Sequence, residues 1–382
     1  MSKLTTHAKG SILAALDIGS SKIACFIARV NDDAGNFEVL GVGHHPSKGI
    51  QNGTISDLNA AESAIRQCVH AAENMAAQVM RWYPLREVIV NLPGIHASSH
   101  GHTADVNVAG HEITDNDVRR ALSKAQDQIM SEDYELVHTI PVSFALDGSE
   151  GIQNPIGMFG QTLRADIHMV TGDIGALKNT ATCIERSHLD ITSFCHDAYA
   201  AGLATLVEDE ADLGCTVINM GAGVTSVAIF QGGTMIFADA IPVGGAHVTN
   251  DIAKGLTTPV QDAERLKALY GSAVATNTDE HELIDVPRLG DEDSLEPNHI
   301  PRTLLVGIIQ PRLEEIFELI RARLHDSGLR SALGRRVVIT GGASQMSGIK
   351  QLAEHVLDKQ VRLGKPIRYV GVPEAVSGPG LG

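Results

Sequence analysis

Two stretches of the chain share one pattern of apolar and polar positions. Ile12 to Val30 is an apolar run, a short break at Gly19-Ser20-Ser21-Lys22, and a second apolar run; Thr216 to Phe230 repeats this around Gly221-Ala222-Gly223. Short apolar runs separated by a glycine turn predict a strand–turn–strand hairpin in each place. Asp17 and Asn219 hold equivalent positions just before the two turns. The separation is far beyond any solenoid period, so it predicts two similar domains that each open with the same hairpin and face one another across a cleft. A third element, Arg336-Val-Val-Ile-Thr-Gly-Gly-Ala343, reads as a strand running into Gly341-Gly342 and then a helix. Between the second and third elements lies Gln261 to Gly271, where Glu264 and Lys267 are spaced to share one helical face.

Residues 86 to 165 carry a different pattern. It predicts a strand Glu87–Leu92, a turn at Pro93-Gly94, a hairpin around Gly101 to Gly110, and then a helix. That helix starts at Thr114 with Asp117 in capping position, and Val118, Leu122, Ala125 and Ile129 fall on one face. Strands at Glu135 to Ile140 and Phe144 to Leu146 follow, then Asn154-Pro-Ile-Gly-Met-Phe-Gly160 and a last strand, Thr162 to Val170. Strands around a lone helix predict an α+β module set inside the first domain.

Composition narrows the partners. The chain has 382 residues, 43% apolar and 20% charged, which fits a globular protein of two or more domains and not a disordered one. A net charge of -16 repels nucleic acid and gives no general attraction to anionic lipid. The five cysteines, Cys25, Cys68, Cys183, Cys195 and Cys215, are isolated in apolar surroundings and read as buried reduced thiols. Met1 to Gly10 lacks the apolar core of a signal peptide, and no run of about 18 apolar residues occurs, so a cytoplasmic protein without a transmembrane helix is expected. His96, His100, His102 and His111 cluster in a glycine-punctuated stretch that reads as turns, with a metal site as the minority alternative.

Glycine turns of this kind suit phosphate binding, because the backbone can approach an anion and successive N–H groups form a concave nest. Gly19, Ser20, Ser21 and Lys22 supply the first nest; Gly221, Gly223, Thr225 and Ser226 are candidates for the second. Either hairpin alone reads equally as a plain tight turn. Three such elements in this order resemble the phosphate-1, phosphate-2 and adenosine motifs of the actin superfamily. Glu264 and Lys267 are similar to the Glu-x-x-Lys helix that meets adenosine in the chaperone branch.

Within that superfamily the module, together with His138-Thr-Ile-Pro141, Asp166-Ile-His-Met-Val-Thr171 and Val243-Gly-Gly-Ala-His-Val-Thr-Asn-Asp-Ile-Ala253, closely resembles the FtsA family of bacterial cell-division actins. The resemblance implies an α/β, actin-like ATPase fold of two duplicated domains around a nucleotide cleft, with the α+β subdomain called 1C inserted in the first. It divides the chain into 1A (1–85, 166–197 and a shortened 371–382), 1C (86–165), 2A (198–244 and 303–370) and 2B (245–302). It implies ATP and Mg²⁺ bound by Asp17, Gly19, Ser20, Ser21, Lys22, Asn219, Gly221, Ala222, Gly223, Glu264, Lys267, Gly341, Gly342 and Ala343, with Asp17 near the metal. The implied partners are the C-terminal peptide of FtsZ, met by Arg302 in Pro301-Arg302-Thr303-Leu304, other copies in a filament, and division proteins at 1C. Membrane attachment at the division site is implied through a C-terminal amphipathic helix that does not follow Gly382 here, so a shortened chain is expected.

Two departures weigh on turnover. Asn219 stands where the superfamily usually has an aspartate, and Ala222 where the family usually has glycine. A neutral amide supplies no charge for a metal-bound water, so binding with slow or absent hydrolysis is expected. A small-molecule kinase of the same superfamily would use Asp197 as general base; its plainer role is a helix cap. A pilus-assembly adaptor of the same build is the remaining alternative.

Overall fold

The computed structural model describes residues 9–31, 36–80, 84–127, 133–277, 279–289, 298–329, 333–367 and 369–370. Ile129 and the stretch from Pro373 to Gly382 lie outside them.

Both predicted hairpins form. Ile12–Ile18 pairs antiparallel with Lys22–Val30, and Cys215–Met220 with Thr225–Gln231. Each hairpin gains a third antiparallel strand, Phe37–Pro46 in the first case and Thr234–Ile241 in the second. On its other side each first strand takes two parallel neighbours: Glu87–Leu92 then Asp190–His196, and Arg336–Thr340 then Gln360–Leu363. The two sheets therefore share one strand order, and the duplication extends from the hairpin to the whole domain. Tyr369–Val370 adds a parallel outer strand to the first sheet, with no counterpart in the second among the described residues.

Helices cover the sheets by close approach. Leu58–Met80 turns Ala61, Ala64, Ile65, Cys68, Ala72 and Ala76 to the first sheet. Gly41 and Gly43 make this possible: a Cβ at Gly43 would lie 2.0 Å from the Cys68 carbonyl oxygen. In the second domain the long helix Arg302–Asp326 buries Leu305, Ile309, Leu313, Ile316, Phe317 and Ile320. Phe317 is fully buried, and its replacement by Ala would cost roughly 3–5 kcal/mol.

The inserted module is a four-stranded antiparallel sheet, ordered Ala97–Asn107, Thr162–Asp173, Tyr134–Leu146, Ser149–Ile152, with the helix Asp115–Gln126 packed on it. Thr114 and Asp117 form the expected cap: both the Thr114 N–H and its hydroxyl donate to the Asp117 carboxylate. Three expectations need correction. Glu87–Leu92 belongs to the main sheet, where it pairs with Ile12–Ile18; an isolated strand carries no mark of which sheet it joins. The residues from Gly101 to Gly110 are not a hairpin but mostly the end of one continuous strand, Ala97–Asn107. Tyr134–Leu146 runs unbroken through Pro141, which sits at a register shift opposite Ile167, where a missing N–H is tolerated.

At its far end the outer edge of Ala97–Asn107 has two carbonyls occupied by side chains. The Val108 N–H donates to the Gln161 carbonyl on the inner side, so by strand alternation Asp105 and Asn107 present their carbonyls outward. Lys124 donates to the Asp105 carbonyl at 2.8 Å and Arg120 to that of Asn107 at 3.3 Å.

The second domain's outer part comprises helices Gly245–Leu256 and Val260–Tyr270 and the ribbon Leu283–Val286 with Asn298–Pro301.

Candidate functional site

The two glycine turns are built alike. The Gly19 N–H donates to the Lys22 carbonyl at 3.1 Å, and the Gly221 N–H to that of Val224 at 2.9 Å. A Cβ at either glycine would meet that same carbonyl oxygen at 2.8 Å. They face each other across a cavity of about 1020 Å³ that runs between the domains.

Asp17, Gly19, Ser20, Ser21, Lys22, Asn219, Gly221, Ala222, Gly223, Glu264, Lys267, Gly341, Gly342 and Ala343 all line this cavity. Gly341 and Gly342 do different work there. Gly341 has φ 91, and a Cβ on it would stand 2.6 Å from the Asn219 amide oxygen, so it is fixed by the backbone. A Cβ on Gly342 meets nothing within 4 Å, so its openness belongs to the cavity. Lys267 donates to Glu264 at 2.7 Å, to the Thr249 hydroxyl at 2.7 Å and to the Gly245 carbonyl at 3.1 Å, which ties Val260–Tyr270 to the start of the preceding helix. The pair is therefore a strut in the cavity wall with Glu264 still open to it.

Thr225 and Ser226 do not join the second nest. Both are buried, Thr225 donating to the Val243 carbonyl at 2.8 Å and Ser226 to the Asp197 carboxylate at 2.6 Å. Neither lines the cavity.

Asp197 is the residue whose weight changes most. The helix cap is His196, whose Nδ1 accepts from the Ala198 N–H at 3.2 Å, and Asp197 begins the helix with its carboxyl in the cavity. Burial pushes that carboxyl up to about 6, although Ser226 and backbone N–H groups hold it down. Asp17 opens onto the cavity but is enclosed on its other sides; burial raises it to about 6, against the pull of Lys22 and with a further push from Asp197. Burial lowers the Lys22 ammonium, with Asp17 opposing. Two neighbouring carboxyls held above their usual range leave negative charge that a divalent cation would offset, so the donors present fit one.

Sequence reasoning missed Asn52-Gly53, the tip of the small hairpin Ile50–Gln51 and Thr54–Ile55. Asn-Gly between short strands was the available signal. The tip wedges between the domains: the Gly53 N–H donates to the Ser20 hydroxyl at 2.8 Å, and a Cβ on Gly223 would strike Asn52 Cα at 2.7 Å. Asn91 was also missed; its amide oxygen accepts from the Ile18 N–H at 2.7 Å and holds the end of the first strand.

Arg302 lines the far end of the same cavity. Its guanidinium donates to the Tyr270 carbonyl at 2.8 Å, to Asp279 at 3.2 Å and to Glu282 at 2.9 Å. Arg302, expected to meet an acidic partner peptide, is already paired with two carboxylates of its own chain. Among the described residues no group of three or more His, Cys, Asp or Glu could hold a metal ion, and His96 bonds instead to the Thr54 hydroxyl at 2.9 Å. The cysteines are unpaired thiols, four buried and Cys195 partly so. No described helix is long and apolar enough to cross a membrane.

Comparison with known proteins gives a consistent picture. The family described as "Cell division protein FtsA" matches residues 216–381, and "SHS2 domain inserted in FTSA" matches 94–171. The cell division protein FtsA of Rhizobium meliloti (strain 1021) is 41% identical over 380 residues, covering 97% of this chain and 85% of that protein. Among solved structures, the PilM–PilN type IV pilus biogenesis complex has a TM-score of 0.65 at 15% identity, over 93% of this chain and 88% of that one. MreB5 of Spiroplasma citri bound to ADP has a TM-score of 0.52 at 14% identity, over 94% and 92%. These structural likenesses establish an actin-like ATPase fold.

Proposed function

The chain belongs to the FtsA family of cell division proteins, and we propose that it binds ATP with Mg²⁺ in its cleft, polymerises, and links FtsZ filaments to the inner face of the cytoplasmic membrane. One observation carries the nucleotide reading. Phosphate-type turns from both domains and the Gly341-Gly342 turn line a single cavity with Asp17, Asp197 and Lys22. Gly19 to Lys22 and Gly221 to Gly223 would cradle the phosphates, with Lys22 as the cation among them. Gly342 and Ala343, with Glu264 and Lys267 opposite, would receive the adenosine. Asp17 and Asp197 would hold the metal side, where bound Mg²⁺ supplies neutralisation of the phosphate oxygens. Nucleotide bound to the similarly folded MreB5 is in keeping with this.

The test is Gly342→Trp, which the open space at that position tolerates in the fold while filling the cavity. An ATP analogue should bind the parent and not the variant, with melting unchanged. Equal affinity in the two would overturn the assignment.

Asn219 argues for slow turnover. Asn219→Asp should raise ATP hydrolysis; a parent that already hydrolyses briskly and is unaffected by the change would show that Asn219 does not limit the reaction.

For the FtsZ tail, an acidic and apolar peptide, the outer part between Gly245 and Arg302 offers exposed Leu269 and Leu283, exposed Lys254 and Arg265, and half-buried Arg302. A peptide carboxylate there would exchange with Asp279 and Glu282 for the Arg302 guanidinium. Peptide binding should weaken with salt and drop in Arg302→Gln, and unchanged peptide affinity would clear Arg302. Contacts with other division proteins are assigned to the inserted module, and membrane attachment to the family's C-terminal amphipathic helix.

A further inference from the structure

Among the module's contacts with the two main domains, one reaches the start of the helix that begins at Asp197. His138 lies on the module strand Tyr134–Leu146, and its Nε2 accepts the main-chain N–H of His196 at 2.9 Å. His196 ends the strand Asp190–His196 and caps the helix that begins at Asp197. The same imidazole stands edge-on to Tyr199 in that helix, with ring centroids 5.0 Å apart. Tyr199 in turn stacks at 6.2 Å on Phe230, in the strand that leaves the second glycine turn. One side chain of the module thus touches the chain on both sides of Asp197, at residue 196 through the backbone and at residue 199 through the ring.

We propose that His138 is a positioning residue for the Asp197 carboxylate, so that the placement of the inserted module is felt where the cation and phosphates bind. The inference rests on the reading of the cleft as a Mg²⁺–nucleotide site. His138 makes no part of the cavity wall. Its effect passes through the His196 amide and the first turn of the helix.

The chemistry of the contact is specific. An imidazole accepts at Nε2 only when neutral and protonated at Nδ1. Burial, with a smaller push from His196, lowers His138 to about 4, which keeps it neutral at physiological pH. Glutamine carries a side-chain carbonyl that can accept the same N–H; leucine fills similar space and accepts nothing. The pair of variants separates the hydrogen bond from packing.

The experiment measures affinity for a non-hydrolysable ATP analogue with and without Mg²⁺ in the parent, His138→Leu and His138→Gln. In the parent, Mg²⁺ should tighten binding. In His138→Leu that gain should shrink about tenfold, the range typical for partners that orient a metal-binding carboxylate, while Mg²⁺-free affinity stays within about twofold. His138→Gln should recover most of the gain. A parental Mg²⁺ gain in His138→Leu overturns the inference, as does a parallel loss with and without Mg²⁺ or a failure of His138→Gln to differ from His138→Leu. Nitrogen-labelled histidine spectra of the parent test it without substitution: the His138 Nε2 signal should be that of an unprotonated acceptor and should move when Mg²⁺ joins the nucleotide complex. A protonated Nε2 or a stationary signal overturns it. A parent that binds no analogue overturns the reading of the cleft and this inference together; a parent that binds, with His138→Leu equal to it, overturns the inference alone.

Discussion

The two glycine turns differ in what they add to a common backbone. In the first, Asp17 and Lys22 flank Gly19-Ser20-Ser21; in the second the equivalent places hold Asn219 and Val224 around Gly221-Ala222-Gly223. Both turns close with the same hydrogen bond and exclude a Cβ at the same point. The backbone geometry is thus set by a requirement the domains share, and the charge is not. The first turn brings the ions and hydroxyls, while the second brings space: Gly223 admits Ser20 and Asn52 from across the cleft, where any side chain would collide. Duplication supplied a scaffold twice and the chemistry once.

The largest expected effect comes from removing the two equivalent side chains. Asp17→Ala should weaken Mg²⁺–ATP-analogue binding roughly a hundredfold by calorimetry, as loss of a charged hydrogen-bonding group would, and Asn219→Ala about fivefold or less. Equal losses would break the comparison. Next, Gly19→Ala and Gly221→Ala should each destabilise the protein by about 1–3 kcal/mol in urea unfolding, since each Cβ would meet a carbonyl oxygen at 2.8 Å. A tolerated substitution at one of them would show that the turns are not equivalent.

A third experiment tests the uneven charge through pH. The Asp197 carboxyl is held at about 6, above its usual 3.8, so its contribution to stability is present below about 3.8 and is lost as pH rises through about 6. Asp197→Asn should therefore stabilise the ligand-free protein at pH 7.5, on the order of 1–2 kcal/mol, and less at pH 4.5. The neighbouring histidines act in the opposite sense. Burial lowers His138, His168 and His196 to about 4, so their contribution is present above the usual 6.5 and is lost as pH falls through about 4. Comparing variant with parent at each pH isolates Asp197 from them, and destabilisation by Asp197→Asn at pH 7.5 would contradict the assignment. The smallest effect should be Lys22→Met, about three- to tenfold weaker analogue binding that shrinks with added salt, set against no change in Val224→Met.

What was legible in the sequence follows from what leaves a local mark. A turn that admits only glycine marks itself, so Gly19, Gly221 and Gly341 were readable, and three-residue spacing on a helix placed Glu264 beside Lys267. The cap of the module helix was readable because Thr114 and Asp117 satisfy one another within a single turn. Asp197 was harder. Its identity suggested a cap, but the cap is its neighbour His196, and only burial beside Asp17 shows where the carboxyl is directed. The sheet that Glu87–Leu92 joins, and the partners that hold Arg302, depend on residues far along the chain, and no local period encodes them.

The covered rim of the module sheet has a consequence of its own. A bare strand edge is a template that copies itself onto whatever extended chain it meets, which is how native sheets seed aggregates. Along Asp105 and Asn107 the template is already filled, because Lys124 and Arg120 occupy the acceptors that an incoming strand would need. Those side chains come from a helix that also packs on the sheet, so the protection forms as the module folds and is lost only when that helix lifts away. An extended chain that pairs with this end of the rim must first displace Lys124 and Arg120 from the carbonyls of Asp105 and Asn107, so recognition there begins with side chains, whose sequence can discriminate among neighbours.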